Sequence, residues 1–233
     1  MKIEILADPD AVAKRAAALV AEHARAAASR RGRFTFAVSG GHTPWVMLRE
    51  LANEEVPWNE VHVVQVDERV APADSDLRNY KHLRESLLSH VPLPPDNLHA
   101  MPVEASDLPA AAAQYARTLE SLAGSPPTLD LIHLGLGPDG HTASLVPGDP
   151  VLDVTDAWVA LTAGLYQGSH RMTLTYPVLD QARAVLWLVT GAEKVDALRR
   201  LNRRDRTIPA GRVRQDNAVV VADRAAAAGL GGH

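Results

Sequence analysis

The chain contains no cysteine, which excludes a disulfide, a thiolate nucleophile and a thiolate-held zinc. Aromatic residues make up only 4%, too few for the stacking platforms on which single-stranded nucleic acids lie. No long Lys/Arg run interrupts a slightly acidic balance, with a formal charge of −4 over 233 residues. Nucleic acid and anionic membranes both demand clustered positive charge, so neither is expected as a partner. No stretch approaches the roughly 20 consecutive apolar residues of a membrane-spanning helix. The opening Met1-Lys2-Ile3-Glu4 places an acid where a signal peptide would continue its apolar run. A cytosolic, monomeric protein is the expectation.

What is present is a chain that is 46% hydrophobic, enough for one sizeable core. Apolar runs of strand length alternate with longer helical stretches. Strands are expected at residues 2–6, 34–38, 61–66, 98–101, 129–135, 184–190 and 218–221. Leu161 and residues 171–175 bracket a further β region. Helices are expected at 9–29, 44–52, about 75–90, 107–123 and 193–201. This alternation predicts an α/β fold, a mostly parallel sheet with helices on both sides. No linker divides the chain, so residues 1–233 are expected to form one domain, with an Ala/Gly-rich tail at 225–233 that frays.

In such sheets ligands bind beyond the carboxyl ends of the strands, and the polar, glycine-rich segments fall there. The first is Ser39-Gly40-Gly41-His42-Thr43-Pro44. Its glycines permit a tight turn, Thr43 suits an N-cap and Pro44 the first helical position. Free N–H groups and the helix dipole then favour an anion such as phosphate; the plainer alternative is a simple strand-to-helix turn. Gly-x-Gly-x-x-Gly and the Walker pattern are both absent there, which disfavours nucleotides. The second segment, Asp67-Glu68-Arg69, offers an acid to orient a base and a cation to hold an anionic oxygen, or else an ordinary solvated charge cluster.

The third is the most specific. It runs from Gly135 through Gly137, Pro138, Asp139, Gly140 and His141 to Gly148. Gly137 and Gly140 keep the loop free of bulk where substrate is expected to bind, and His141 is the natural general base near neutral pH, with a carboxylate to fix its tautomer. Either Asp67 or Asp139 fits that supporting part. No metal-ligand spacing occurs and Ser39 lacks a nucleophile elbow, so neither a metal, a cofactor nor a serine nucleophile is expected.

Together these loops resemble the 6-phosphogluconolactonase family. The residues that carry the likeness are the 39–44 turn, Asp67-Glu68-Arg69 with Asn79-Tyr80, the 135–148 loop, Arg171 to Thr175 with Pro177, Ala182-Arg183, and Gly191 with Lys194. The resemblance implies a Rossmann-like three-layer α/β/α sandwich, shared with glucosamine-6-phosphate deaminase and ribose-5-phosphate isomerase. It implies hydrolysis of 6-phosphogluconolactone in the oxidative pentose phosphate pathway. The substrate phosphate would rest on Ser39, Gly40, Gly41, His42 and Thr43, with Arg171 and Lys194 as cations. Arg69 would steady the developing oxyanion or the product carboxylate. Val146 stands where the family often has Phe, and His42 where it often has Ser or Arg.

Two rivals differ in what they would show. Glucosamine-6-phosphate deaminases resemble this chain in the phosphate turn, but usually carry Tyr in place of Arg69 and Glu in place of Val146. A phosphosugar sensor would bind without turnover and is normally joined to a DNA-binding module, for which the first strand at residue 2 leaves no room before it.

Overall fold

Five-residue apolar runs build the sheet. In the computed structural model, which describes residues 1–231, the strands are β1 (Lys2–Leu6), β2 (Phe34–Val38), β3 (Val61–Gln65), β4 (Asp67–Arg69), β5 (Leu98–His99), β6 (Leu131–Gly135), β7 (Val159–Leu161), β8 (Arg171–Leu174), β9 (Val185–Val189) and β10 (Ala218–Asp223). Seven form one sheet in the order β1-β10-β9-β6-β2-β3-β5, with every neighbouring pair parallel. The central strands β2 and β9 are buried at every position, as expected where helices cover both faces.

The helices are α1 (Pro9–Arg31), α2 (His42–Leu51), α3 (Asn79–Ser86), α4 (Leu108–Ala123), α5 (Tyr176–Gln181), α6 (Val195–Asn202), α7 (Pro209–Arg212) and α8 (Arg224–Ala227). Two apolar clusters pack on opposite faces of the sheet. One joins α1, α2 and α3 to residues such as Phe36 and Leu188. The other joins α4, α5 and α6 to Ile132, Trp187 and Val220. The three layers follow. Helix α1 starts where the Asp8 carboxylate accepts from the Ala11 N–H at 2.8 Å, and it ends at Gly32 in the left-handed region; such a cap is worth about 1 kcal/mol. Its buried face is mostly alanine, which lets it lie close against the sheet and α2.

The expected elements occur, with four instructive differences. Residues 67–69 form strand β4 rather than a loop, in a second, antiparallel sheet ordered β4-β8-β7. Val66 is the hinge between the sheets: its N–H donates to the Val38 carbonyl, and its own carbonyl accepts from Leu174. Helix α3 is shorter than the expected 75–90 span because Glu68 determines its start, accepting from the N–H groups of Asn79 and Tyr80 at 2.8 Å each. Helix α2 begins at His42 with Gly41 as its cap residue, so Thr43 is not the N-cap. Helix α8, with Ala226 buried, occupies part of the tail expected to fray; Gly232 and His233 lie outside the described residues. No helix among the described residues is long and apolar enough to cross a membrane.

Candidate active site

The ends of β2, β3, β6 and β9 open into a cleft of about 460 Å³. Ser39, Gly40, Gly41, His42, Thr43, Asp67, Arg69, Gly137, His141, Arg171 and Lys194 all line it. Segments up to about 150 residues apart in the chain thus converge, those of the parallel sheet at the carboxyl ends of its strands and those of β4 and β8 from the antiparallel sheet beside it.

At one end is the glycine turn. Gly41 has φ of 120°, which L side chains rarely adopt, and no side chain caps α2, so its first N–H groups remain free to meet an anion. A Cβ on Gly40 would fall 1.8 Å from Asn79 Oδ1; the turn and α3 touch there. The Ser39 hydroxyl donates to the His133 carbonyl at 3.0 Å, so its proton is already committed. His42 is exposed on the rim. The Thr43 and Thr190 hydroxyls pair at 2.7 Å. Lys194 sits in a short 3-10 turn after β9, 3.9 Å from Glu193.

In the middle are two arginines. Arg69 and Arg171 are direct partners across the β4–β8 pair, an arrangement of like charges that is unfavourable by itself. Each has a buried Nε with no partner among the described residues. Burial, and then the charge of Arg69, hold the Arg171 guanidinium below its ordinary pKa. Asp67 is the nearest counter-charge to Arg171, at 4.0 Å, and is itself held by the Ser144 hydroxyl at 2.6 Å. Arg69 donates to Asn79 Oδ1 at 2.9 Å and to the Leu77 carbonyl at 2.8 Å. These residues are no solvated surface cluster: Asp67 is buried and Glu68 completely so. Two cations brought together with unfilled donors are an arrangement that an anion relieves.

At the other end the glycine-rich loop presents His141. Its Nδ1 lies 2.6 Å from Asp139 Oδ1, which also accepts from the His141 backbone N–H. Burial pushes the Asp139 carboxyl up, but the His141 N–H, the imidazole and the Tyr166 hydroxyl together outweigh it and hold it below the ordinary range. An ionised carboxylate keeps the ring proton on Nδ1 and leaves the Nε2 lone pair free. Of the two acids that fitted the supporting part, Asp139 is the one in contact with His141; Asp67 faces Arg171 instead. Gly137 is required here, since a Cβ would lie 2.0 Å from the His141 ring. Gly140 stands behind the cleft with φ of 83°, and a Cβ there would strike Ile208 at 2.5 Å.

Tyr166, Thr190, Ser144 and Glu68 support the site without standing out in the sequence. Ser144 lies within the third loop, and its side-chain bond to Asp67 is a long-range contact with no local pattern.

Free N–H groups and cations at one end of a cleft, with a carboxylate-backed imidazole at the other, suit a small anionic ligand and a proton transfer. The class can be narrowed to a family. Residues 7–222 match the family model described as glucosamine-6-phosphate isomerases/6-phosphogluconolactonase, and the chain belongs to that family. It is 38% identical over 201 residues to a 6-phosphogluconolactonase of Synechocystis, covering 84% of this chain and 83% of that one. The corresponding Mycobacterium tuberculosis protein is 36% identical over 241 residues, 98% of each chain. The crystal structure of 6-phosphogluconolactonase from Thermotoga maritima superposes with a TM-score of 0.86 at 29% identity, covering 95% of this chain and 98% of that one. A monomeric glucosamine-6-phosphate deaminase shares the fold, with a TM-score of 0.84 at 19% identity over 98% of this chain and all of that one.

Proposed function

We propose that this protein is a lactone hydrolase that opens 6-phosphogluconolactone to 6-phosphogluconate. The observation that carries the reading is that His141, 2.6 Å from Asp139, lines the same cleft as an uncapped, glycine-opened helix start. One end has the chemistry to hold a phosphate, and the other to activate water. The relatives named 6-phosphogluconolactonase, matched over most of both chains, support it.

In this reading the phosphate rests on the N–H groups of the 39–43 turn, with Arg171 and Lys194 as cations. An arginine can grip a phosphate with two donors, whereas a lysine supplies a point charge. His141 Nε2 takes a proton from water as the oxygen attacks the lactone carbonyl carbon. The carbonyl electrons move onto oxygen, and Arg69 steadies that oxyanion or the product carboxylate. The tetrahedral intermediate collapses by breaking the bond from the carbonyl carbon to the ring oxygen, which receives the proton from His141. Asp139 balances the imidazolium between these steps, and Asp67 places Arg171. A monomeric state and a cytosolic setting are part of the same proposal.

The deaminase alternative needs a proton-transferring acid that its family carries just before the loop proline. Here that place is Val146, buried and without a proton to give. The test is to supply freshly made 6-phosphogluconolactone and, separately, glucosamine 6-phosphate. Acid release well above the spontaneous rate, with no ammonia from the amino sugar, is expected; ammonia release without lactone hydrolysis would reverse the assignment.

A further inference from the structure

One group in contact with both Asp139 and His141 lies outside the three loops. Residues 166–169 make a two-residue hairpin in which Gln167 and Gly168 both have positive φ, 52° and 84°, as a type I′ turn requires. The Tyr166 N–H donates to the Ser169 carbonyl at 3.0 Å. This turn aims the Tyr166 ring edge-on at His141, with centroids 5.2 Å apart. The Tyr166 hydroxyl donates to Asp139 Oδ2 at 3.1 Å and lies 3.1 Å from His141 Nδ1. The opposite side of the turn is tied to the cation cluster. Arg171 donates to the Tyr166 carbonyl and to Gln167 Oε1, both at 3.2 Å, and its guanidinium carbon lies 4.9 Å from the Tyr166 ring centre.

We infer that Tyr166 is a positioning residue: its hydroxyl fixes the Asp139–His141 pair and draws carboxylate charge away from the imidazole, while Arg171 anchors the turn that carries it. The geometry assigns the hydroxyl this use because a carboxylate only accepts, so the Tyr166 proton must point to Asp139. Asp139 Oδ1 is held twice by His141 itself, and Oδ2 is the free oxygen that Tyr166 occupies. Each donor that a carboxylate accepts from lowers its pull on a neighbouring cation. Tyr166 therefore tempers the pull of Asp139 on the imidazole and holds the pair in one geometry, with Nδ1 turned to the carboxylate and Nε2 left to accept a proton. The link to Arg171 has a second consequence. An anion that engages Arg171 bears on a guanidinium whose Nη2 holds the turn, so substrate phosphate and the base share one support.

This inference rests on the lactonase reading for its kinetic arm but not for its spectroscopic one. Tyr166→Phe keeps the ring, the contact with Arg171 and the backbone, and removes only the hydroxyl. The expected result is a kcat about tenfold lower at neutral pH, the worth of one hydrogen bond to a charged group, with KM changed less than about twofold. The acid limb of the kcat profile should move to higher pH. The His141 titration midpoint, followed by NMR of the full chain without substrate, should rise with it. Tyr166→Ala, which also strips the ring from Arg171, should raise KM as well. A Tyr166→Phe enzyme with an unmoved acid limb and an unmoved His141 midpoint would overturn the inference, whatever its kcat. A wild-type protein that does not hydrolyse the lactone would sink the lactonase reading, while a raised midpoint in Tyr166→Phe would still support the positioning role.

Discussion

At the scale of single residues, the cleft is a set of charges placed where folding alone would not put them. Arg69 and Arg171 face each other across two strands, and their buried Nε groups have no partner among the described residues. A buried donor left unmade costs about 1–3 kcal/mol, so the arrangement makes physical sense as an anion site. Replacing Arg171 by Met keeps much of its volume and removes its charge. The expected outcome is a KM for the phosphorylated lactone raised about 10–100-fold, the worth of a charge-assisted contact, with kcat less affected. Steady-state kinetics on the variant check this, and an unchanged KM would remove Arg171 from the phosphate. The two carboxylates of the site divide by contact. Asp139 touches the imidazole, whereas Asp67 is shared between Ser144 and Arg171. The sequence did not separate them, because that separation depends on how β4 pairs with β8.

At the scale of elements, the site depends on glycine where two segments meet. Gly40 lies against Asn79, whose side chain also holds Arg69 and the Asp67 carbonyl. Gly40→Ala should push Asn79 aside, raise KM and lower stability by about 1–3 kcal/mol; urea unfolding and kinetics on one preparation test both, and wild-type values would contradict the contact. How far these elements were legible follows from the range of the forces that make them. Strands such as Phe34–Val38 and Val185–Val189 declare themselves as short apolar runs, and α1 through its Asp8-Pro9 start and its length. The 39–44, 67–69 and 135–148 segments stood out because glycine and charge directly after a strand are local signals. Strand β4 was hidden, since Asp-Glu-Arg has low strand propensity and pairs only because β8 supplies an edge. The start of α3 was hidden too, because its cap is Glu68 from another element. Tyr166 has no signal of its own beyond a Gln-Gly turn, and its place next to His141 is set by a hairpin between two weak strands.

At the scale of the whole molecule, the parallel sheet brings the 39–43 turn, the 135–148 loop and Lys194 to the carboxyl ends of its strands, the antiparallel β4-β8-β7 sheet adds Arg69 and Arg171, and what lies behind them is buried. His133 shows what that burial costs. It sits fully buried in β6 behind the Ser39 turn, accepting from the Ser39 N–H at Nδ1, and burial depresses its pKa from 6.5 to about 3. In the unfolded chain it gains a proton near the higher value. Between the two values the unfolded state therefore binds more protons, and stability falls as pH drops through that window, by up to about 1.4 kcal/mol per pH unit. Burial lowers His23, His62 and His99 as well, so they add in the same direction. His133→Gln should flatten the decline of unfolding free energy between pH 6.5 and pH 4, measured by urea titration, and a slope equal to that of wild type would contradict the account. The claim on which the rest depends is that this single cleft activates water through His141 against a lactone held by its phosphate. The direct measurement is acid release from fresh 6-phosphogluconolactone at neutral pH, with the spontaneous rate subtracted, for wild type and for His141→Ala at equal concentration and verified fold. Rapid hydrolysis by wild type is expected, with a turnover at least about 100-fold lower in the variant, the usual worth of a positioned base. Equal turnover in the two proteins would contradict it.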